Sequence, residues 1–166
     1  MNSPSIETHW PEIRRVVEHG QASSLYCAIA SVGEGGEPTV TPVGTVFLRP
    51  DLSGFLFDQY TSALGRNIDA NGKVCLLAVN SGKAYWLRSF LMGRFVSPPG
   101  VRLYGTASQL RAASPDELGQ IERRVRPTRW LKGSRLLWSS FTHVRDIKFT
   151  SFRPVSYPAM MEHLWQ

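Results

Sequence analysis

Tyr60, Thr61 and Ser62, followed one turn later by Arg66 and Asn67, are the residues of this chain best suited to holding an anion. They lie within "FDQYTSALGRNIDANGKVCLL", residues 57–77. An apolar, strand-like run ends at Asp58, three hydroxyls follow, and a short helix is predicted from about 62 to 71. The first turn of a helix leaves backbone N–H groups unpaired and carries partial positive charge. Hydroxyl side chains at that point either cap the helix or donate to a bound anion. Arg66, four residues after Ser62, falls on the same side of the helix. Such a set suits a terminal phosphate. Two readings stand: Ser62 as a plain N-cap, or the whole turn as a phosphate cradle.

Other chemistry is thinly represented. The histidines His9, His19, His143 and His163 are scattered, with neither triad nor metal spacing, and read as surface or packing residues. There is no G-x-S-x-G elbow, no P-loop, and no G-x-G-x-x-G after a strand. "GEGGEP" is glycine-rich, but no helix follows it, so it reads as a hairpin turn. Cys27 and Cys75 sit in apolar runs and read as buried free thiols of a reducing compartment; their spacing does not suggest zinc. The net charge is +6. Part of it is concentrated in Arg123, Arg124, Arg126, Arg129, Lys132 and Arg135. That cluster reads as a solvated helix end and basic loop, as a polyanion-binding surface, or as arginines meeting an anionic cofactor or a partner subunit.

The elements that must position these residues form one predicted domain over 1–166, with its core at about 23–152. A helix is predicted over 5–19, because Ile6, Trp10, Ile13, Val16 and Val17 recur at helical spacing and Gly20 follows. Strand-like runs cover 24–32, 38–48 and 54–58, separated by glycine and proline turns. After the 62–71 helix, closed by Asn71-Gly72, strands are predicted at 73–80 and 101–110. Between them, "KAYWLRSFLMGRFVSPPG" reads as a strand plus insertion or as a lid. Ser114-Pro115-Asp116-Glu117 signals a capped helix to about Val125, and "RWLKGSRLLWSS" suggests a second short one. Residues 144–152 alternate, with Val144, Ile147, Phe149 and Phe152 apolar and Arg145, Lys148 and Ser151 polar, and read as the last strand. The tail 153–166 is expected to dock on the core. The fold class is mainly β with α: an antiparallel six-stranded split β-barrel with flanking helices. No stretch approaches the length of a membrane span and the first twenty residues carry no export signal, so a cytoplasmic protein without a membrane partner is expected.

The order of elements, with "GEPTVTPVGTVFL", "GFLFDQYTSALGRNIDANGKVCLLAV" and "VRLYGTASQL", resembles the pyridoxamine 5′-phosphate oxidase-like family of flavin-binding split barrels over about residues 23–110. The resemblance implies a homodimer with flavin mononucleotide (FMN) in grooves at the interface. By position, it implies that the backbone of Val43, Gly44, Thr45 and Val46 runs along the isoalloxazine edge. Tyr60, Thr61 and Ser62 would line the ribityl-phosphate side, and Arg66 and Asn67 would serve the phosphate. Trp86, Trp130 and Trp138 are candidate aromatic walls. Two departures stand out. Leu64 occupies a position where the family often has a basic residue, and the tail "SFRPVSYPAMMEHLWQ" lacks the Arg-x-His of true pyridoxamine phosphate oxidases. The implied function is an FMN-dependent oxidoreductase acting on a small molecule, with no catalytic side chain assigned. The alternatives are the same fold holding a deazaflavin or haem, and a non-enzymatic polyanion or nucleic-acid binder.

Overall fold

The computed structural model describes residues 5–59, 62–137 and 140–165, with only the backbone of Ser62. The first element, α1 (Ile6–Ser24), buries the five apolar residues that the sequence periodicity selects. It runs one turn past the expected end at 19. Gly20 does not stop it, because this glycine lets the helix press on the sheet: a Cβ there would sit 3.1 Å from the Val79 nitrogen. The helix instead ends at Leu25, which takes a left-handed conformation (φ 70°). The first strand is accordingly shorter than expected, β1 being Cys27–Val32.

Strands β2 (Pro38–Val43), β3 (Val46–Leu48), β4 (Ser53–Phe57), β5 (Lys73–Val79), β6 (Gly100–Ala107), β7 (Arg111–Ala112) and β8 (His143–Pro154) complete one sheet. Its order is β2-β1-β5-β6-β8-β4-β3, with β7 on β8, and every pairing is antiparallel. The split-barrel class holds, but the described sheet has eight strands rather than six. The run 38–48 breaks at Gly44-Thr45 into β2 and β3, which lie at opposite ends of the strand order, and the two-residue β7 carries no sequence signal. Inward residues such as Ile29, Leu76, Leu103 and Ile147 form the main core with the buried side of α1. A smaller cluster of Phe47, Phe55, Phe57, Ile121 and Val144 lies on the other side of β4 and β8.

The remaining helices are α2 (Ser62–Asn71), α3 (Lys83–Met92), α4 (Pro115–Val125), α5 (Lys132–Leu137) and α6 (Pro158–Met161). Helix α2 has the limits the sequence predicts. It closes on Gly72 at φ 69°, whose N–H donates to the Ile68 carbonyl (2.8 Å). Residues 83–92 are neither strand nor loop but helix α3. Helix α4 begins with the predicted capping box, Ser114 accepting from the Glu117 N–H and the Glu117 carboxylate accepting from the Ser114 N–H.

Neighbouring residues of β8 anchor two ion networks. Arg145, expected on the solvent face, is buried. Its guanidinium bonds Asp58 and, at 2.6 Å, Asp69. Asp146 accepts from Arg49 (2.9 Å) and Arg111 (2.6 Å), and both arginines also bind Glu117 (2.7 and 2.6 Å). The strand alternation fails at Arg145 because elements pack on both sides of β8 there. Val144 faces the phenylalanine cluster, while Arg145 faces α2.

Candidate functional site

Helix α2 lies along β1 and β2 in a fixed direction. Its C-terminal residue Asn71 donates to the Val32 carbonyl (3.1 Å), at the end of β1. Midway along, the Asn67 amide donates to the hydroxyls of Ser31 (3.0 Å) and Thr39 (2.9 Å), tying the helix to both strands. Its start follows β4, and β4 is joined to the β2–β3 turn. The Phe57 N–H donates to the Thr45 carbonyl (3.3 Å), and the Thr45 hydroxyl donates to the Phe57 carbonyl (3.3 Å). The segment Val43–Val46 and the start of α2 are therefore brought to one end of the barrel.

Helix α2 and the end of β4 are held together by the Arg145 network. Asp58 lies between β4 and the turn, Asp69 lies on α2 itself, and Arg145 on β8 joins them. Gly65 makes room for this: a Cβ there would meet the Asp58 Oδ2 at 3.1 Å and the Arg145 Nη2 at 3.4 Å. Burial on its own would lower the Arg145 pKa, but the bonds to Asp69 and Asp58 outweigh it and the net shift is upward. The bond from Arg145 holds the Asp69 carboxyl below its ordinary range. A buried charge held by several hydrogen bonds has few alternative positions, so this network fixes α2 relative to β4 and β8.

The predicted site residues divide by environment. Tyr60 and Thr61 lie outside the described residues, and of Ser62 only its place as the first residue of α2 is described. Leu64 is fully buried in the main core, so no cation could replace it without disrupting the packing. Arg66 is exposed and, among the described residues, makes no hydrogen bond or ion pair. Asn67 is occupied inward, as above. Val43 and Val46 are buried, and Thr45 is buried and bonded to Phe57. The Gly44 carbonyl accepts from Gln21 of α1 (2.9 Å) and from Arg124 of α4 (3.2 Å).

Arg124 was legible only as one of a basic run, yet it behaves differently from the others. It donates to the Gly44 and Val46 carbonyls, the latter at 2.8 Å, and its guanidinium lies 3.7 Å from the centre of the Phe47 ring. It thus bridges α4 to the β2–β3 turn. Beside it opens a cavity of about 340 Å³, lined by Glu18, Gln21, Ala22, Leu25, Gly44 and Arg124 with Val125 and Thr128. No histidine is among the lining residues. Of the candidate aromatic walls, Trp86 belongs to the cluster under α3, Trp130 is exposed, and Trp138 lies outside the described residues. Burial pushes the Cys27 thiol up to about 12 and raises that of Cys75, so neither is a thiolate at neutral pH.

The outer face of the sheet has its own character. Two cross-strand rows run over five strands: Pro42, Ala28, Leu77, Arg102, Arg153, and Val40, Ala30, Cys75, Tyr104, Ser151. They are small and apolar through β1 and β5, half-buried or exposed, with paired arginines at one edge.

A family model described as pyridoxamine 5′-phosphate oxidase matches residues 10–148. Among solved structures, HupZ of Group A Streptococcus is similar at TM-score 0.55 and 16% identity, over 91% of this chain and 97% of that one. An FMN-binding protein from Syntrophomonas wolfei reaches TM-score 0.56 at 14% identity, covering 92% and 95%. HutZ, the haem storage protein of Vibrio cholerae, reaches 0.50 at 12% identity, covering 86% and 94%. No curated protein matches the sequence. Among the described residues, no helix is long and apolar enough to cross a membrane.

Proposed function

Because the chain belongs to the pyridoxamine 5′-phosphate oxidase family, we propose that it is an FMN-binding protein and an oxidoreductase for a small molecule. The observation that supports this most directly is the joining of the β2–β3 turn to the start of α2 through Thr45 and Phe57. On this reading the Val43–Val46 backbone meets the ring edge, Tyr60, Thr61 and Ser62 line the ribityl-phosphate chain, and Arg66 supplies charge to the phosphate. Asn67 holds α2 in place through Ser31 and Thr39 rather than touching the cofactor. The residues present fit the group on the phosphate side in kind. A helix N-terminus favours an anion, and an unengaged arginine stands within its first two turns.

When bound, flavin supplies the electron or hydride transfer. This chain's own residues would bind it, orient it and keep α2 fixed against β4 and β8 through Arg145. Substrate access is assigned to the cavity beside Gly44, where Glu18, Gln21, Arg124 and Thr128 offer charge and hydrogen bonds amid apolar walls. The tail beyond β8 lacks the Arg-x-His pair, so oxidation of pyridoxamine phosphate is not proposed.

The cofactor groove is proposed to form between two copies, with the apolar rows through Ala28, Ala30, Cys75 and Leu77 meeting a partner. Visible spectroscopy of the purified protein, with and without added FMN, tests the central reading. Oxidised-flavin bands are expected, whereas a colourless protein that fails to take up FMN, or one that shows a haem or deazaflavin spectrum, overturns it. Arg66→Ala should weaken FMN binding by about tenfold with the fold intact, as for loss of a charge-assisted hydrogen bond; unchanged affinity would remove Arg66 from the phosphate. Ala30→Glu should convert a dimer to a monomer in light scattering, and an unaltered mass would place the interface elsewhere.

A further inference from the structure

Helix α3 carries an apolar surface that the flavin reading leaves without a role. Its underside is well packed. Ser89 is buried, Tyr85 stacks on Phe95 at 5.9 Å, and Trp86 meets Phe95 and Tyr157 edge-on at 5.3 and 5.6 Å. With 3.6 residues per turn, these positions leave Leu87 and Leu91 along the crest of the opposite side, flanked by Phe90 and Met92. Leu87 is 62% exposed, Phe90 64% and Leu91 80%. A cluster of large apolar side chains on the crest of a helix marks a surface meant to be covered.

The charges around it indicate what covers it. Lys83 and Arg88 lie on the two sides of the crest, and Arg94 follows just past the C-terminal Gly93. Residues 83–94 carry these three cations and no Asp or Glu; Glu162 lies in the tail that packs against Trp86 and Phe95. A second copy laid on this helix face to face would bring both sets of cations together. An anionic lipid surface instead accepts the leucines among its acyl chains and the cations among its headgroups, as basic amphipathic helices do. Lys and Arg side chains are long enough to reach the headgroups while the crest sinks below them.

We propose that α3 is a docking face for an anionic membrane surface, which seats the protein peripherally with the helix lying in the interface. The sequence reading expected no membrane partner because no segment is long enough to span. Peripheral docking needs no span, only the exposure of the α3 crest. The proposal does not depend on flavin binding.

Co-sedimentation of the full chain with vesicles of phosphatidylcholine, with and without phosphatidylglycerol, tests it. Binding is expected to the mixed vesicles, little to phosphatidylcholine alone, and less as salt rises. Arg88→Glu should lower partitioning onto the mixed vesicles by about fivefold or more, and Leu87→Ser/Leu91→Ser by about tenfold or more. Both substitutions are at exposed positions, so circular dichroism and melting temperature should be preserved. The proposal falls if the native chain ignores anionic vesicles or if both variants bind as well as it does. It falls equally if Leu87→Ser/Leu91→Ser lowers the molecular mass from dimer to monomer while vesicle binding is unchanged, since the face then belongs to a second copy.

Discussion

Helices α2 and α3 are each ten residues long and flank β5 in the chain, but they are attached to the barrel by different physics. Helix α2 buries Leu64 and Ile68, spends Asn67 on two hydroxyls, and shares Arg145 with β4 and β8. Helix α3 rests on stacked and edge-on aromatic rings, with the Tyr85 hydroxyl and the Trp86 Nε1 each donating to a backbone carbonyl (2.6 Å), and turns its leucines outward. A buried guanidinium shared with two carboxylates fixes where α2 stands. Buried aromatic area carries most of the attachment of α3. One helix is built for position and the other for presenting a surface.

The largest break in that contrast should come from Arg145→Met. It leaves the Asp58 carboxylate in a largely buried place without its guanidinium, and should cost about 3–5 kcal/mol in urea denaturation, with α2 loosened and, on the proposed function, FMN binding lost. A cost near that of an ordinary surface substitution would mean that the network does not hold α2. Acid should separate the helices next. The Asp69 carboxyl is depressed by Arg145, so its contribution is complete above the ordinary carboxylate range and disappears as pH falls below it. Helix α3 contains no Asp or Glu. Hydrogen-exchange protection should therefore fail in α2 before α3 as pH drops, and the reverse order would contradict the assignment. The smallest effect is expected from Leu91→Ser, within about 0.5 kcal/mol in the same denaturation assay. A loss of several times that would show the crest of α3 to be buried in solution.

A similar contrast governs what the sequence could reveal. Helix α2, its stop at Asn71-Gly72 and the capping box at Ser114 were legible because their chemistry is local, written within a few neighbouring residues. The position of Arg145 was not. Its partner Asp58 is 87 residues away, and simple alternation along β8 pointed it at solvent. Gly20 looked like a helix stop because composition alone cannot distinguish a terminating glycine from one admitting a close strand. Helix α3 escaped because its apolar residues surround it, some facing the aromatic cluster and some facing out, so no single stripe emerges. Of the proposed site, the hydroxyl turn and Arg66 are expectations that local sequence chemistry can supply. The inward pull on Asn67 and the bridging by Arg124 depend on strands and helices far apart in the chain.

The adjacency of Arg145 and Asp146 also guards β8 against misalignment. Strand side chains alternate, so sliding β8 by one residue would turn each of these charges to the opposite side. Slid one way, Asp146 would take the place beside Asp58 and Asp69; slid the other way, Arg145 would take the place beside Arg49 and Arg111. Either slip turns one attraction into a repulsion and breaks the other. Hydrophobic residues of similar size tolerate exchange for one another. Two opposite charges side by side do not, and they make the wrong alignment of the longest strand costly before any ligand is present.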